Sequence, residues 1–211
     1  MHFTQTHLCS LSSASQATRR QFLTGMLVTA LLPSIPASAL AREDAQEYVV
    51  RIGSKVIALA RSGANDARLK QEFLELLTKN ADIRAVARFA LGKYRRRMPK
   101  NMLPEYYRLV LDNIAGMFVY YRKDLAAQGI EPVKSHTRGK WTTVETRLIF
   151  PGGKKSKVLW RIYTGGAMRV GDVNIKGIWL SLRMRDKFVS ILNKSKGDFA
   201  ALMQYLRENA A

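Results

Sequence analysis

Residues 171–192, with the sequence GDVNIKGIWLSLRMRDKFVSIL, decide how the second half of this chain folds. The segment begins as a short strand-like run that passes through Gly177. Apolar residues then recur at helical spacing from about Ser181, with basic residues between them. The pattern contains no acid–base pair, no metal-ligand spacing and no phosphate-binding loop. It predicts a strand that bends at a glycine into an amphipathic helix.

The residues before this segment also alternate between apolar and polar, which is typical of strands. Val144 and Leu148 share one face of a predicted strand, and Trp160 and Ile162 share one face of the next. Between the two, the PGGK sequence at residues 151–154 predicts a turn. The two strands should therefore form a hairpin.

The alternation changes phase within the strand that enters the opening segment. Met168 and Val170 fall in one phase, whereas Val173 and Ile175 fall in the other. One extra residue in a strand produces such a change, so we expect a β-bulge near Gly171.

The first half of the chain shows helical spacing instead. We predict one helix over residues 44–60, a second over residues 66–78, and a third that Asp82 caps. The longest helix should run from residue 101 to about residue 127, and a last helix should begin after Asp198. Helices followed by antiparallel strands predict an α+β domain, in which helices lie against one face of a curved antiparallel sheet.

The N-terminus has the pattern of an export signal. Arg19 and Arg20 precede an uncharged apolar run at residues 22–35, and the small residues Ala39 and Ala41 follow it. Together these features predict a cleavable twin-arginine signal peptide over residues 1–41. A membrane anchor is the alternative, but Thr, Pro and Ser interrupt the run and it is short for a span.

Cleavage would leave one domain, residues 42–211, with no cysteine. Cys9, the single cysteine of the chain, lies in the predicted signal, so we expect neither a disulfide nor a cysteine metal site. Of the 35 Lys and Arg residues 33 would remain, against 16 acidic residues, a net charge of +17.

Few residues suggest catalysis. His136 is the one histidine after residue 41, and it has no visible partner, so we interpret it as an exposed strand residue. Asp172 stands at the predicted bulge, where a carboxylate acts either as a general base or as an acceptor for backbone donors. The second role is the commoner one. We therefore predict no catalytic residue, no metal and no cofactor.

Basic residues cluster at residues 93–100, 154–157 and 183–187. Such clusters bind nucleic acid, an anionic bilayer or an acidic protein, or they simply keep a surface hydrated. Predicted export argues against nucleic acid. An anionic membrane surface would attract each nearby Lys or Arg by about 1 kcal/mol.

Two motifs resemble the MlaC family of periplasmic phospholipid-binding proteins, the toluene-tolerance type of ABC transporter auxiliary component. Residues 83–110, IRAVARFALGKYRRRMPKNMLPEYYRLV, are similar to a short helix that ends in Leu-Gly-x-Tyr and leads into a long one. Residues 168–188, MRVGDVNIKGIWLSLRMRDKF, resemble the family signature Trp-Lys-Val-Tyr-Asp-Val-x-x-x-Gly-Val-Ser-Leu-x-x-x-Tyr-Arg-x-x-Phe. The matching positions are Asp172, Val173, Gly177, Leu180, Arg185 and Phe188. The resemblance covers about residues 45–206.

This sequence departs from the signature at four positions. Met168 stands where the family has Trp, Gly171 and Met184 where it has Tyr, and Trp179 where it has Ser. The family signature carries no catalytic group, so these departures would reshape a binding cavity and alter its cargo rather than remove a reaction.

The resemblance implies an NTF2-like body whose helices and sheet enclose an apolar cavity for lipid tails. It implies a periplasmic protein that carries phospholipid between an outer-membrane lipoprotein complex and an inner-membrane ABC transporter complex. Apolar residues on the predicted helices and strands would line the cavity. The predicted lipid-binding residues are Val86, Phe89, Tyr107, Val110, Leu111, Ile114, Phe118, Tyr121, Val144, Leu148, Trp160, Ile162, Ile175 and Phe188.

Three alternatives stay open on the sequence. An exported NTF2-like enzyme would use Asp172 as its general base. A carrier with the same fold would take a hopanoid-type lipid instead of a phospholipid. A nucleic-acid-binding module ranks below both, because it would require the chain to stay in the cytoplasm.

Overall fold

A computed structural model describes residues 43–209. The predicted signal peptide at residues 1–41 lies outside the described residues. Helices come first, an antiparallel sheet follows, and two helices close the chain. The helices are α1 (Ala45–Arg61), α2 (Asp66–Asn80), α3 (Ile83–Ala90), α4 (Leu103–Tyr120), α5 (Arg122–Leu125), α6 (Leu180–Lys194) and α7 (Phe199–Glu208). The strands are β1 (Gly129–Arg138), β2 (Trp141–Ile149), β3 (Lys155–Tyr163), β4 (Arg169–Ile175) and β5 (Ile178–Trp179).

Side-chain caps begin several helices. Asp44 accepts hydrogen bonds from the backbone N–H groups of Gln46 and Glu47 in the first turn of α1. Asp82 accepts from the N–H of Ala85 at 3.0 Å and so begins α3. Such caps satisfy amide groups that have no partner inside the helix. The prediction that Asp82 caps a helix is confirmed, and Asp198 caps α7 in the same way.

The predicted long helix over residues 101–127 was wrong at both ends. A 3-10 turn, Lys100–Met102, precedes α4, and α4 itself ends at Tyr120. The chain then bends at Tyr121 into the short helix α5, which contacts α1. Helical spacing continues through this bend, so the sequence pattern alone did not show it. The bend results from tertiary packing of α5 against α1.

The five strands form one antiparallel sheet in the order β1-β2-β3-β4-β5. The predicted β2–β3 hairpin is present, and in it Val144 pairs with Trp160. Strand β1 contains His136, which was predicted to be an exposed strand residue. The bounds of β1 were not predicted, because its residues 131–138 are all exposed and carry no apolar alternation.

The predicted bulge is present in β4. Arg161 of β3 pairs with Asp172, and Ile162 pairs with Val170. Gly171 is therefore the extra residue, and the phase change in the sequence was read correctly.

Buried apolar side chains form two groups. The helical cluster lies among α2, α3, α4, α6 and α7, and the sheet cluster lies between α1 and the inner faces of β2 and β3. Leu76 of α2 packs against both clusters. The architecture is α+β, with helices against an antiparallel sheet, as predicted.

Candidate functional site

Helix α4 lies at the centre of the helical cluster. Tyr106, Val110, Ile114 and Phe118 lie one turn apart along one side, and each is buried. The ring of Phe118 stacks on the ring of Phe73 from α2, with centroids 3.9 Å apart and planes 14° apart. This side of α4 is therefore a continuous apolar surface, and its Phe118 end packs against α2.

Tyr106 contributes a polar anchor at the start of that surface. Its hydroxyl donates to the carbonyl oxygen of Ala87 in α3 at 2.8 Å, and its side chain is fully buried. Burial raises the pKa of Tyr106, because the phenolate form would be poorly solvated there. The hydrogen bond joins α4 to α3 without leaving a buried hydroxyl unpaired.

Helix α1 closes the sheet cluster through a close approach at Gly53. A Cβ built on Gly53 would lie 2.5 Å from Cδ1 of Ile130 and 3.6 Å from Cζ2 of Trp160. The indole N–H of Trp160 donates to the hydroxyl of Thr146 at 3.0 Å. The largest aromatic side chain of this cluster thus has its polar atom satisfied and its ring against α1.

The structure divides the predicted lipid-binding residues between the two clusters. In the helical cluster or packed against it lie Val86, Tyr107, Val110, Ile114, Phe118 and Phe188. In the sheet cluster lie Val144, Leu148, Trp160 and Ile162. Leu111 is half-buried, whereas Phe89, Tyr121 and Ile175 are exposed. The two groups approach each other at Leu76, which was not among the predicted residues.

Asp172 joins strand β4 to the start of α6. One carboxylate oxygen accepts from the backbone N–H groups of Val173 at 2.9 Å and Ser181 at 3.1 Å. The other accepts from the hydroxyl of Ser181 at 2.5 Å. The residue is buried, and its hydrogen bonds cap a helix from a strand. Asp172 therefore acts as an acceptor for backbone N–H groups, which is the role that the sequence favoured.

The bulge at Gly171 accommodates an aromatic ring from another strand. A Cβ on Gly171 would lie 2.5 Å from Cζ3 of Trp141, at the start of β2. The Trp141 ring also contacts Tyr163 edge to face, with centroids 5.3 Å apart. At the position where the family signature has Tyr, this chain has a glycine covered by a tryptophan. Sequence reasoning missed this contact, because the two residues are thirty positions apart.

His136 lies in β1 opposite Thr143 and is exposed, as predicted. Over residues 43–209, no group of His, Cys, Asp and Glu side chains is arranged to hold a metal ion. Within the same range, no helix has both the length and the apolar character needed to cross a membrane.

This chain is similar to a known protein family and to solved structures. The family described as MlaC protein matches residues 53–208 of this chain. The fold is similar to that of a phospholipid-binding protein from Ralstonia solanacearum, solved in complex with a phospholipid, with a TM-score of 0.67 and 18% sequence identity. That match covers 79% of this chain and 97% of the other. No curated protein matches the sequence.

Proposed function

Because this chain belongs to the MlaC family, we propose that it carries a phospholipid whose acyl chains are held between its two apolar clusters. The observation that carries the proposal is the family match over residues 53–208, which includes most of both clusters. The carrier would work in the periplasm after export. It would take lipid between an outer-membrane lipoprotein complex and an inner-membrane ABC transporter complex, and it would approach the anionic membrane surface through its basic residues.

The energetics of carriage call for an apolar interior of this kind. Burial of each CH₂ group is worth about 0.8 kcal/mol, so a chain of roughly sixteen carbons represents on the order of 12 kcal/mol. A carrier in water must cover almost all of that surface. The side chains of both clusters offer it with few polar groups, which is what a tail-binding site requires.

The proposed route for the tails runs past α2. Leu76 contacts both clusters, and Phe73 covers Phe118 on the α4 side. Because interiors have few voids, tails can lie along α4 only if α2 and its Phe73 ring move away from Phe118. We therefore place the opening motion in α2.

The proposal includes no chemical step. An enzyme based on Asp172 would need a carboxylate oxygen that is free to take a proton from a substrate. Both Asp172 oxygens accept hydrogen bonds from the chain, one from two backbone N–H groups and the other from Ser181. The geometry therefore supports carriage over catalysis.

Mass spectrometry of the organic extract of purified protein tests the proposal. We expect a phospholipid to copurify, and delipidated protein to take up phospholipid again from vesicles. A hopanoid-type lipid in the extract would change the cargo class and keep the carrier role. Folded, delipidated protein that acquires no lipid from any vesicle would contradict the proposal.

Ile114→Trp tests whether the tails lie along α4. The larger ring would take volume that a tail needs, so lipid phosphorus per protein should fall. Because this side of α4 is packed in the lipid-free protein, the ring should also cost about 1–3 kcal/mol of stability there. The control is Tyr120→Trp on the same helix, where the side chain is 79% exposed. Full lipid content with that loss of stability would show that this side of α4 is core.

A further inference from the structure

A cationic pocket lies where the turn after α3 meets α6. The 3-10 turn Gly92–Arg96 follows α3 and packs against α6. The pocket has a volume of about 430 Å³. Its lining residues are Phe89, Gly92, Lys93, Arg95, Arg96 and Arg185. Four of these six residues are cationic, and none is acidic.

Gly92 brings the turn close to α6. Its φ of +53° is a conformation that side-chain-bearing residues rarely adopt. A Cβ at this position would lie 2.8 Å from Cγ2 of Val189 and 3.2 Å from Nε of Arg185. The glycine therefore allows the basic turn to face Arg185 across the pocket.

Among residues 43–209, the cations of the pocket have no acidic partner. Elsewhere in residues 43–209 arginines form ion pairs, for example Arg51 with Glu43 at 2.7 Å and Arg207 with Glu105 at 2.6 Å. Within this described part of the chain, no ion pair involves Lys93, Arg95, Arg96 or Arg185. Like charges held in one concave site repel one another, and an anion bound between them relieves that repulsion.

An exposed aromatic ring lies beside these cations. Phe89 is 41% exposed, and the Cζ atom of Arg185 lies 5.3 Å from its ring centroid. An exposed apolar ring next to guanidinium groups suits the boundary between lipid headgroups and acyl chains, where one ligand offers both a phosphate and hydrocarbon. An acidic peptide offers carboxylates and requires no apolar ring.

We propose that this pocket binds the phosphate group of an anionic phospholipid at a membrane surface. Arginine suits the role, since its planar guanidinium donates two parallel hydrogen bonds to a phosphate. This proposal rests on the proposed function, in which the carrier approaches an anionic membrane, and it assigns that contact to the pocket. The site lies outside the two clusters proposed to hold the tails.

Binding to vesicles of phosphatidylglycerol in phosphatidylcholine tests the pocket. The variant Arg95→Gln/Arg96→Gln removes two cations of the pocket. The control Lys154→Gln/Lys157→Gln removes two exposed cations at the start of β3, so both proteins have the same net charge. At about 0.1 M salt we expect roughly thirtyfold weaker binding for the arginine pair, because each of the two cations contributes about 1 kcal/mol near an anionic surface. The control should keep most of its affinity.

Equal losses in the two variants would overturn the proposal, since net charge alone would then explain binding. An arginine-pair variant with full vesicle affinity would also overturn it. Inorganic phosphate distinguishes a lipid phosphate from free phosphate as the ligand of the pocket. Phosphate should displace vesicles better than chloride at equal ionic strength. Tight binding of inorganic phosphate to protein that binds no vesicles would identify free phosphate as the ligand and contradict the lipid assignment.

The same proteins separate this inference from the proposed function. Copurifying lipid should be unchanged in Arg95→Gln/Arg96→Gln, because the tail clusters are intact. Normal lipid content with unaltered vesicle binding contradicts the pocket alone. Wild-type protein that carries no lipid, yet binds vesicles through Arg95 and Arg96, contradicts carriage and supports the pocket.

Discussion

The rings of Phe73 and Phe118 stack with centroids 3.9 Å apart, and this contact joins α2 to α4. Both side chains are at least nine-tenths buried, so the pair is part of the helical cluster rather than of the surface. In the proposed carrier, the same contact must open for tails to reach α4. The pair therefore relates the stability of the lipid-free protein to lipid uptake.

A double-mutant cycle measures the strength of this contact. Phe73→Ala and Phe118→Ala should each cost about 3–5 kcal/mol, the usual loss for a buried Phe. The double variant should cost less than the sum by about 0.5–1.5 kcal/mol, because each single change already removes the stacking. Urea unfolding of delipidated proteins gives these values. Strict additivity would mean that the two rings do not interact in solution.

Gly171 and Trp141 should show compensation. Gly171→Ala places a Cβ against the Trp141 ring and should destabilise the protein by about 1–3 kcal/mol. Adding Trp141→Ala should remove most of the destabilisation caused by the Cβ at position 171, because the ring that this Cβ meets is gone. Thermal or urea unfolding of the two single variants and the double variant tests this. If Gly171→Ala is equally destabilising with and without Trp141, backbone conformation at the bulge is the cause.

Removal of the Asp172 carboxylate should weaken the junction of β4 with α6. Asp172→Ala leaves the N–H groups of Val173 and Ser181 without their acceptor and should cost about 1–3 kcal/mol. Asp172→Asn keeps one acceptor oxygen and should cost clearly less. Hydrogen exchange at the first turn of α6 locates the effect. Equal stability of the two variants would contradict the role of Asp172 as the acceptor at the start of α6.

Because Tyr106 is buried, the free energy of unfolding should depend on pH in the alkaline range. Burial raises its pKa in the folded state, so the protonated folded form is favoured. Its contribution is complete below the unfolded pKa of about 10 and is lost as the pH rises towards the folded pKa. Tyr106→Phe should cost about 1 kcal/mol near pH 8, through the lost bond to Ala87, and this cost should shrink or reverse above pH 10. Tyr120→Phe, at an exposed site, is the control, and a pH-independent cost of Tyr106→Phe would contradict the assignment.

Export should depend on the arginine pair of the N-terminus. Replacing Arg19 and Arg20 together by Lys keeps the charge, yet it should leave the precursor in the cytoplasm, because the twin-arginine pathway recognises the pair itself. Cell fractionation with detection of precursor and mature forms measures this. Normal amounts of a periplasmic form that begins at Arg42 would indicate the general secretory route. The carrier proposal does not depend on which route is used.

Local pattern was enough to predict much of the fold. Alternation predicted the β2–β3 hairpin, and its change of phase located the bulge at Gly171. Capping residues placed the starts of α3 and α7, because a cap acts within one turn of its own position. The two quoted motifs were sufficient to identify the family.

Other features depended on contacts between distant residues. The bend at Tyr121 follows from α5 packing on α1, and the exposed strand β1 is held by pairing with β2 rather than by its own apolar residues. The sequence by itself therefore determined the elements, the α+β class and the family, because periodicity, caps and motifs act over short distances. Only the tertiary structure decided that the apolar residues form two clusters, that Trp141 covers Gly171, and that Arg185 faces the basic turn, because each requires side chains far apart in the chain to meet.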